Sequence, residues 1–281
     1  MNITPENLIE MIVRAENLFP QTFADKETRD WGVLFVTPTI PNSYDGNHAC
    51  VLNPCDDLSA VVDEIVAFYR GWGLTPRVNY VSADGDAPEL RQALKAAGFT
   101  FGYEETMRVY VYHGPSRIAP NPDVHVQQIE SVDSDMLAAL TSLENLRMAK
   151  VLERRACRAD GWLFVGEIDG QVASVALLEH VGDIYRVDEV HTAESHRRRG
   201  CARAVIHALV TYYQRHMSAP LFLWTDNPIA ERIYVEAGFV KIEHSLTNWY
   251  AWREGPGTQT AEILRSTAQL ADAPDPPATD G

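Results

Sequence analysis

Four arginines, Arg197, Arg198, Arg199 and Arg203, fall within seven residues in the run SHRRRGCARA from Ser195 to Ala204. The apolar, β-rich stretch before the run reads as a strand, and the periodic stretch after it reads as a helix. A helix N-terminus offers free backbone N–H groups and a partial positive charge, and the two together hold phosphate. Gly200 and the small Ala202 let an anion approach the backbone closely. The arginines add charge-assisted hydrogen bonds. The chemistry expected here is the cradling of a diphosphate. Upstream, Asp188, Glu189 and His191 stand within four residues on the preceding strand. With strict alternation, Glu189 and His191 share one face while Asp188 and Thr192 share the other. A carboxylate or an imidazole there could accept a proton.

The rest of the chain sets this cluster apart. The 281 residues carry 24 Lys and Arg against 39 Asp and Glu, a net charge of −15. Such a field repels phosphate backbones and argues against nucleic acid as a partner. It favours a cationic substrate only weakly. The N-terminus lacks the basic region and apolar run of a secretory signal. The longest uncharged stretch, Trp31 to Tyr44, contains two prolines and is too short to span a bilayer. Cys50, Cys55, Cys157 and Cys201 form no metal-ligand spacing, which fits reduced thiols in a cytoplasmic protein.

The elements that must position the cluster follow from periodicity. The length suits two domains at ~150 residues each. Residues 1–115 read as one globular segment, 116–123 as a Pro-rich linker, 124–253 as a second segment and 254–281 as an acidic, disordered tail with a short helix at 261–270. In the second segment, 124–129 alternates as a strand and 134–158 carries one long helical stripe. Strands follow at 162–169, 172–181 and 184–192, joined by the tight turns Asp169-Gly170 and Gly182-Asp183. A helix over 202–216, a strand over 221–225, a helix over 227–237 and strands over 239–244 and 247–252 complete it. The first segment repeats this back half in weaker form: strands at 31–36 and 49–52, a helix at 58–69, a strand at 77–82, a helix at 88–97 and a strand at 105–112. Both copies end a helix on Ala-Gly-Phe, at Phe99 and at Phe239. The fold class expected is α+β, an α/β/α sandwich with a mixed, mostly antiparallel sheet flanked by helices.

Two motifs resemble a known family. Val190 to Ala202 is similar to the acetyl-CoA pyrophosphate motif of the GNAT N-acetyltransferase superfamily, Arg/Gln-x-x-Gly-x-Gly/Ala, with Arg197, Gly200 and Ala202 on its fixed positions. Val190 and Thr192 match the strand before it, while Glu194 replaces a common proline. The run from Asn227 to Phe239 resembles the second motif, Asn-x-x-Ala-x-x-x-Tyr-x-x-x-Gly-Phe, through Asn227, Ala230, Tyr234, Gly238 and Phe239. The likeness covers residues 124–253 well. The first segment resembles only the back half of the same fold. The stretch before its helix, from Val51 to Leu58, has no such motif and carries two acids, so it reads as a degenerate unit that has lost the cofactor. Tandem GNAT units are the architecture implied.

The resemblance implies acetyl transfer from acetyl-CoA, as co-substrate, to a primary amine of a small molecule or peptide. Val190, His191 and Thr192 would hold the pantetheine and thioester through backbone groups on a splayed strand. Arg197, Arg198, Arg199, Gly200, Cys201, Ala202 and Arg203 would hold the pyrophosphate, with Cys201 a small spacer. Asn227 would bond pantetheine or cap its helix. Tyr234 would protonate the departing thiolate. Glu189 is the first choice of base and Asp188 the reserve. No metal is implied, and a homodimer is left open. Other readings are a noncatalytic acyl-CoA sensor and a mycothiol-synthase-like tandem enzyme.

Overall fold

A computed structural model describes residues 3–255 apart from 54, 55, 84, 86, 103 and 144; the tail expectations lie outside the described residues. The first half comprises α1 (Pro5–Leu18), β1 (Asp25–Arg29), β2 (Gly32–Val36), β3 (Ala49–Val51), α2 (Leu58–Gly71), β4 (Arg77–Ser82), α3 (Pro88–Ala96), β5 (Thr100–Phe101) and β6 (Glu105–Tyr112). The second comprises β7 (His125–Ile129), α4 (Ser134–Leu143), α5 (Leu146–Ala156), β8 (Gly161–Ile168), β9 (Gln171–Val181), β10 (Ile184–Thr192), α6 (Cys201–His216), β11 (Leu221–Trp224), α7 (Pro228–Glu236) and β12 (Phe239–Trp252). The strands form one mixed sheet in the order β1-β2-β3-β4-β12-β6-β11-β10-β9-β8-β7, with β5 beside β12. Among the described residues, only β3–β4 and β10–β11 pair in parallel.

Residues alternate between the two faces of the sheet. On β9, Ala176 and Leu178 pack under α6, while Val175 and Leu177 pack against α4 and α5. On β4, Val78 joins the cluster under α2 and α3, and Val81 joins the cluster under α1. Helices therefore cover both faces, as the α/β/α expectation required.

The two halves are interleaved. β6 lies between β12 and β11, and β12 lies between β4 and β6. Each half thus receives its inner strand from the other. β6 reads ETMRVYVY, and both its faces are buried at Val109, Tyr110 and Val111, as a central strand requires. The stretch expected as a linker is packed: Ile118 is 3% exposed, and the Arg117 N–H donates to Glu236 O at 2.8 Å.

Two expectations of element shape are corrected, and one helix was not foreseen. The helix over 134–158 is two helices, because the Asn145 side chain accepts from Met148 N at 2.9 Å and caps a new start. The strands over 239–244 and 247–252 are one strand, whose pairing with β6 slips between Lys241 and Ser245. α1 carries no clean apolar stripe because two of its buried residues, Glu16 and Asn17, are polar. Asn17 bonds the backbone of Val81 through both ends of its amide, at 2.8 and 3.1 Å.

Candidate functional site

The basic run forms the expected strand-to-helix turn. Gly200 sits at φ +82° as the cap residue of α6, and, among the described residues, no side-chain cap bond closes the helix's first turn. Arg198 also has positive φ. The first N–H groups of α6 are left for a ligand or solvent. Asn121 Nδ2 donates to Arg199 O at 3.1 Å and pins the turn from outside. Arg197 and Arg198 are exposed. Arg199 pairs with Asp169 at 2.9 Å, and Arg203 pairs with Glu236. Both pairs are surface-exposed and contribute little, so either arginine can exchange its partner for an anion. Cys201 is 1% exposed, and burial pushes its thiol up. That fits a spacer rather than a nucleophile. The matching helix start in the first half differs: Asp57 caps α2, accepting from Ala60 N at 3.0 Å. A carboxylate stands there where the basic run leaves its helix open.

Strand β10 carries the next part. It pairs with β11 only at Tyr185↔Leu221 and Arg186↔Phe222. The register between the two strands ends at Arg186, before Val190, His191 and Thr192. On the β9 edge, Ser174 Oγ donates to His191 O at 2.6 Å and lies 2.8 Å from Thr192 Oγ1. The β9–β10 register breaks between Asp188 and His191, and Glu189 adopts φ +49°. This is a β-bulge, a device that re-aims side chains.

The bulge overturns the strict alternation expected for this strand. Asp188 and Glu189 both reach one guanidinium. Arg155 donates to Glu189 at 2.8 Å and to Asp188 at 2.7 Å. It also pairs with Glu179, both side chains being 1% exposed. Arg186 pairs with Glu16 at 2.7 Å and with Asp188. Burial raises the Glu189 carboxyl and Asp188 beside it adds to that; against the pull of Arg155, it stands at about 8. Asp188 is also lifted by burial, but Arg186 and Arg155 outweigh this and hold it far below the usual carboxylate range. Two adjacent carboxylates are thereby split into a permanent anion and a group that titrates near neutrality.

Arg155, Arg186, Glu179 and Glu16 escaped sequence reasoning. The one local signal was Arg155 itself, which shares a helix face with Val151 and Leu152. Arg155→Met should leave Glu179 buried without its cation. Urea unfolding should show a loss of about 3–5 kcal/mol.

α7 places the second motif. Asn227 Oδ1 accepts from Ile229 N at 2.9 Å and Ala230 N at 3.3 Å, so that oxygen caps the helix. Tyr234 is 7% exposed, with its ring 6.1 Å from that of Phe239. Burial, with Asp188 adding to it, holds its phenol well above the ordinary value, so it remains a donor. Gly238 ends α7 at φ +101°; a Cβ there would meet Gly114 O at 2.1 Å.

A cavity of about 190 Å³ lies where α1, α5 and the sheet meet. Glu16, Asp45, Asp188 and Glu189 line it with Arg155 and Trp224. A larger groove of about 770 Å³ under α4 is lined by neither Glu189 nor Tyr234. Among the described residues, no cluster of three His, Cys, Asp or Glu could hold a metal ion, and no helix is long and apolar enough to cross a membrane.

Residues 129–239 match the profile of the Acetyltransferase (GNAT) family. No curated protein matches the chain. Among solved structures, the chain is similar to a GCN5-related N-acetyltransferase from Kribbella flavida, at TM-score 0.64 and 17% identity over 91% of this chain and 98% of that one. It is also similar to a tandem GNAT protein from the clavulanic acid biosynthesis pathway, at TM-score 0.54 and 11% identity over 92% and 98%. A functionally unknown conserved protein from Staphylococcus epidermidis gives TM-score 0.56 and 13% identity over 83% and 95%. At these identities the likeness is one of fold.

Proposed function

Because residues 129–239 are a domain of the GNAT acetyltransferase family, we propose that the protein transfers acetyl from acetyl-CoA to a primary amine of a small molecule. The open helix start with Arg197–Arg203 would receive the pyrophosphate, and the part of β10 beyond its last pair with β11 would align the pantetheine. The observation that carries the reading is Glu189. It sits in a bulge of that strand, lines the cavity and is poised at about 8. A base tuned near the working pH is what amine deprotonation requires.

In the reaction, the amine nitrogen attacks the thioester carbonyl carbon. The C–N bond forms and the C–S bond breaks. Negative charge on the carbonyl oxygen is met by backbone N–H groups around Val190 and His191. The ammonium proton passes to Glu189. Tyr234 has a different part from full proton donation. A thiol ordinarily titrates near 8.5, far below this phenol, so the departing thiolate is the weaker base. Tyr234 therefore donates a hydrogen bond to the sulfur, and solvent supplies the thiol proton. Tyr234→Phe should lower kcat by about 10²-fold, as for loss of one such donor, while acetyl-CoA affinity changes little. Equal losses in both would make Tyr234 structural.

The reading is tested by CoA thiol release with a panel of amines. Tight acetyl-CoA binding without release for any amine would replace the enzyme with an acyl-CoA sensor.

A further inference from the structure

Two asparagines lie outside both motifs yet line the same cavity as Glu189: Asn79 on β4 and Asn248 on β12. In the sheet register, Asn248 lies opposite Val81, so Asn79, Val81 and Asn248 share the α1 face. Asn79 is 7% exposed, and the Oδ1 atoms of both residues are buried with no hydrogen-bond partner. Buried amide oxygens are normally satisfied, and leaving one bare is destabilising. Two on one cavity wall are a receptor for a donor supplied from the cavity. Asp45 lines the same space and makes no ion pair among the described residues. The volume, about 190 Å³, is below the ~300–1,000 Å³ of sites for drug-sized ligands and equals roughly six waters at ~30 Å³ each.

We propose that the acceptor is a small aliphatic amine carrying a second hydrogen-bond donor, a hydroxyl or a second ammonium, which Asn79 and Asn248 receive while Glu189 faces the reacting amine. This rests on the acetyl-transfer reading and adds the substrate class. It also assigns a role to the interleaved sheet. Asn79 belongs to the first half and Asn248 to the strand that the second half lends it, so acceptor recognition is built at the seam.

The test compares three amines of equal size: 3-aminopropan-1-ol, 1,3-diaminopropane and butylamine. CoA release is measured with the wild type, Asn79→Leu, Asn248→Leu and Asn79→Asp. The wild type should favour the two donor-bearing amines over butylamine by at least about tenfold in kcat/KM, since a site built to bond a polar group rejects the analogue lacking it. Asn79→Leu and Asn248→Leu should bring that ratio close to one. Asn79→Asp should keep it and shift preference toward the diamine, which decides the matter if a leucine variant fails to fold. Equal wild-type rates, or an undiminished ratio in both leucine variants, would overturn the substrate class and leave acetyl transfer standing. Release with none of these three amines but with another amine of the panel would overturn the substrate class alone; no release with any amine of the panel, despite acetyl-CoA binding, would remove the acetyl-transfer reading and this inference with it.

Discussion

Glu189→Gln is expected to lower kcat/KM by about 10²–10⁴-fold, the usual range for loss of a positioned general base. Glutamine keeps the shape of the side chain and a hydrogen-bond acceptor for Arg155, so the bulge should survive. The variant should bind acetyl-CoA as the wild type does. In the wild type, kcat/KM should rise with pH and level off above about 8, where Glu189 is ionised in the free enzyme. The glutamine variant should lack that limb. Stability supplies an independent readout. Between the ordinary carboxyl value of 4.5 and about 8, folded Glu189 holds a proton that the unfolded chain has released. Stability therefore falls as pH rises through that window, and the fall should be shallower in Glu189→Gln. Asp188 acts with the opposite sign in a different window: its contribution is present above 3.8 and is lost as pH falls below it. A pH–rate profile with an unchanged limb in Glu189→Gln would assign the base elsewhere.

Gly200→Glu should abolish the thermal stabilisation given by acetyl-CoA. At a ligand concentration a hundred times Kd, binding stabilises the folded state by about 2.7 kcal/mol. At roughly 2–4 °C per kcal/mol, that is a rise in Tm of about 5–10 °C in the wild type. The substitution acts in two ways. Gly200 has φ +82°, where a side chain is strained, and a Cβ would stand 2.8 Å from Asn121 Nδ2. The carboxylate would also bring negative charge to the helix start proposed for the pyrophosphate. Gly200→Ala carries the strain without the charge, so it should retain part of the shift. A full shift in Gly200→Glu would show that acetyl-CoA does not use this turn.

What could be read from sequence was what is local. The strand end, turn and helix start of the basic run fall within a dozen residues, and Arg197, Gly200 and Ala202 announce that turn. Asn227 and Tyr234 were equally legible, being one helix apart from Gly238. The bulge at Glu189 was not, because a positive φ at a glutamate leaves no mark on an alternating pattern. Arg155 reaches Glu179, Asp188 and Glu189 across 24 to 34 residues. Arg186 reaches Glu16 across 170. Such pairings arise only when the helices have packed on the sheet. The same holds for Asn79 and Asn248, which read as ordinary polar residues until β12 sets them on one wall.

The exchange of β6 and β12 also governs the order in which the chain can assemble during synthesis. β6 ends at Tyr112, but both its neighbours, β11 and β12, come more than a hundred residues later. A nascent first half must wait with a long apolar strand open on both edges, the kind of species that aggregates. Closure comes late and through distant contacts, which makes folding slow for its size. Released separately, neither half is a self-sufficient folding unit. Cutting the coding region between residues 115 and 124 should yield two insoluble fragments, whereas co-expressing them should restore one soluble heterodimer.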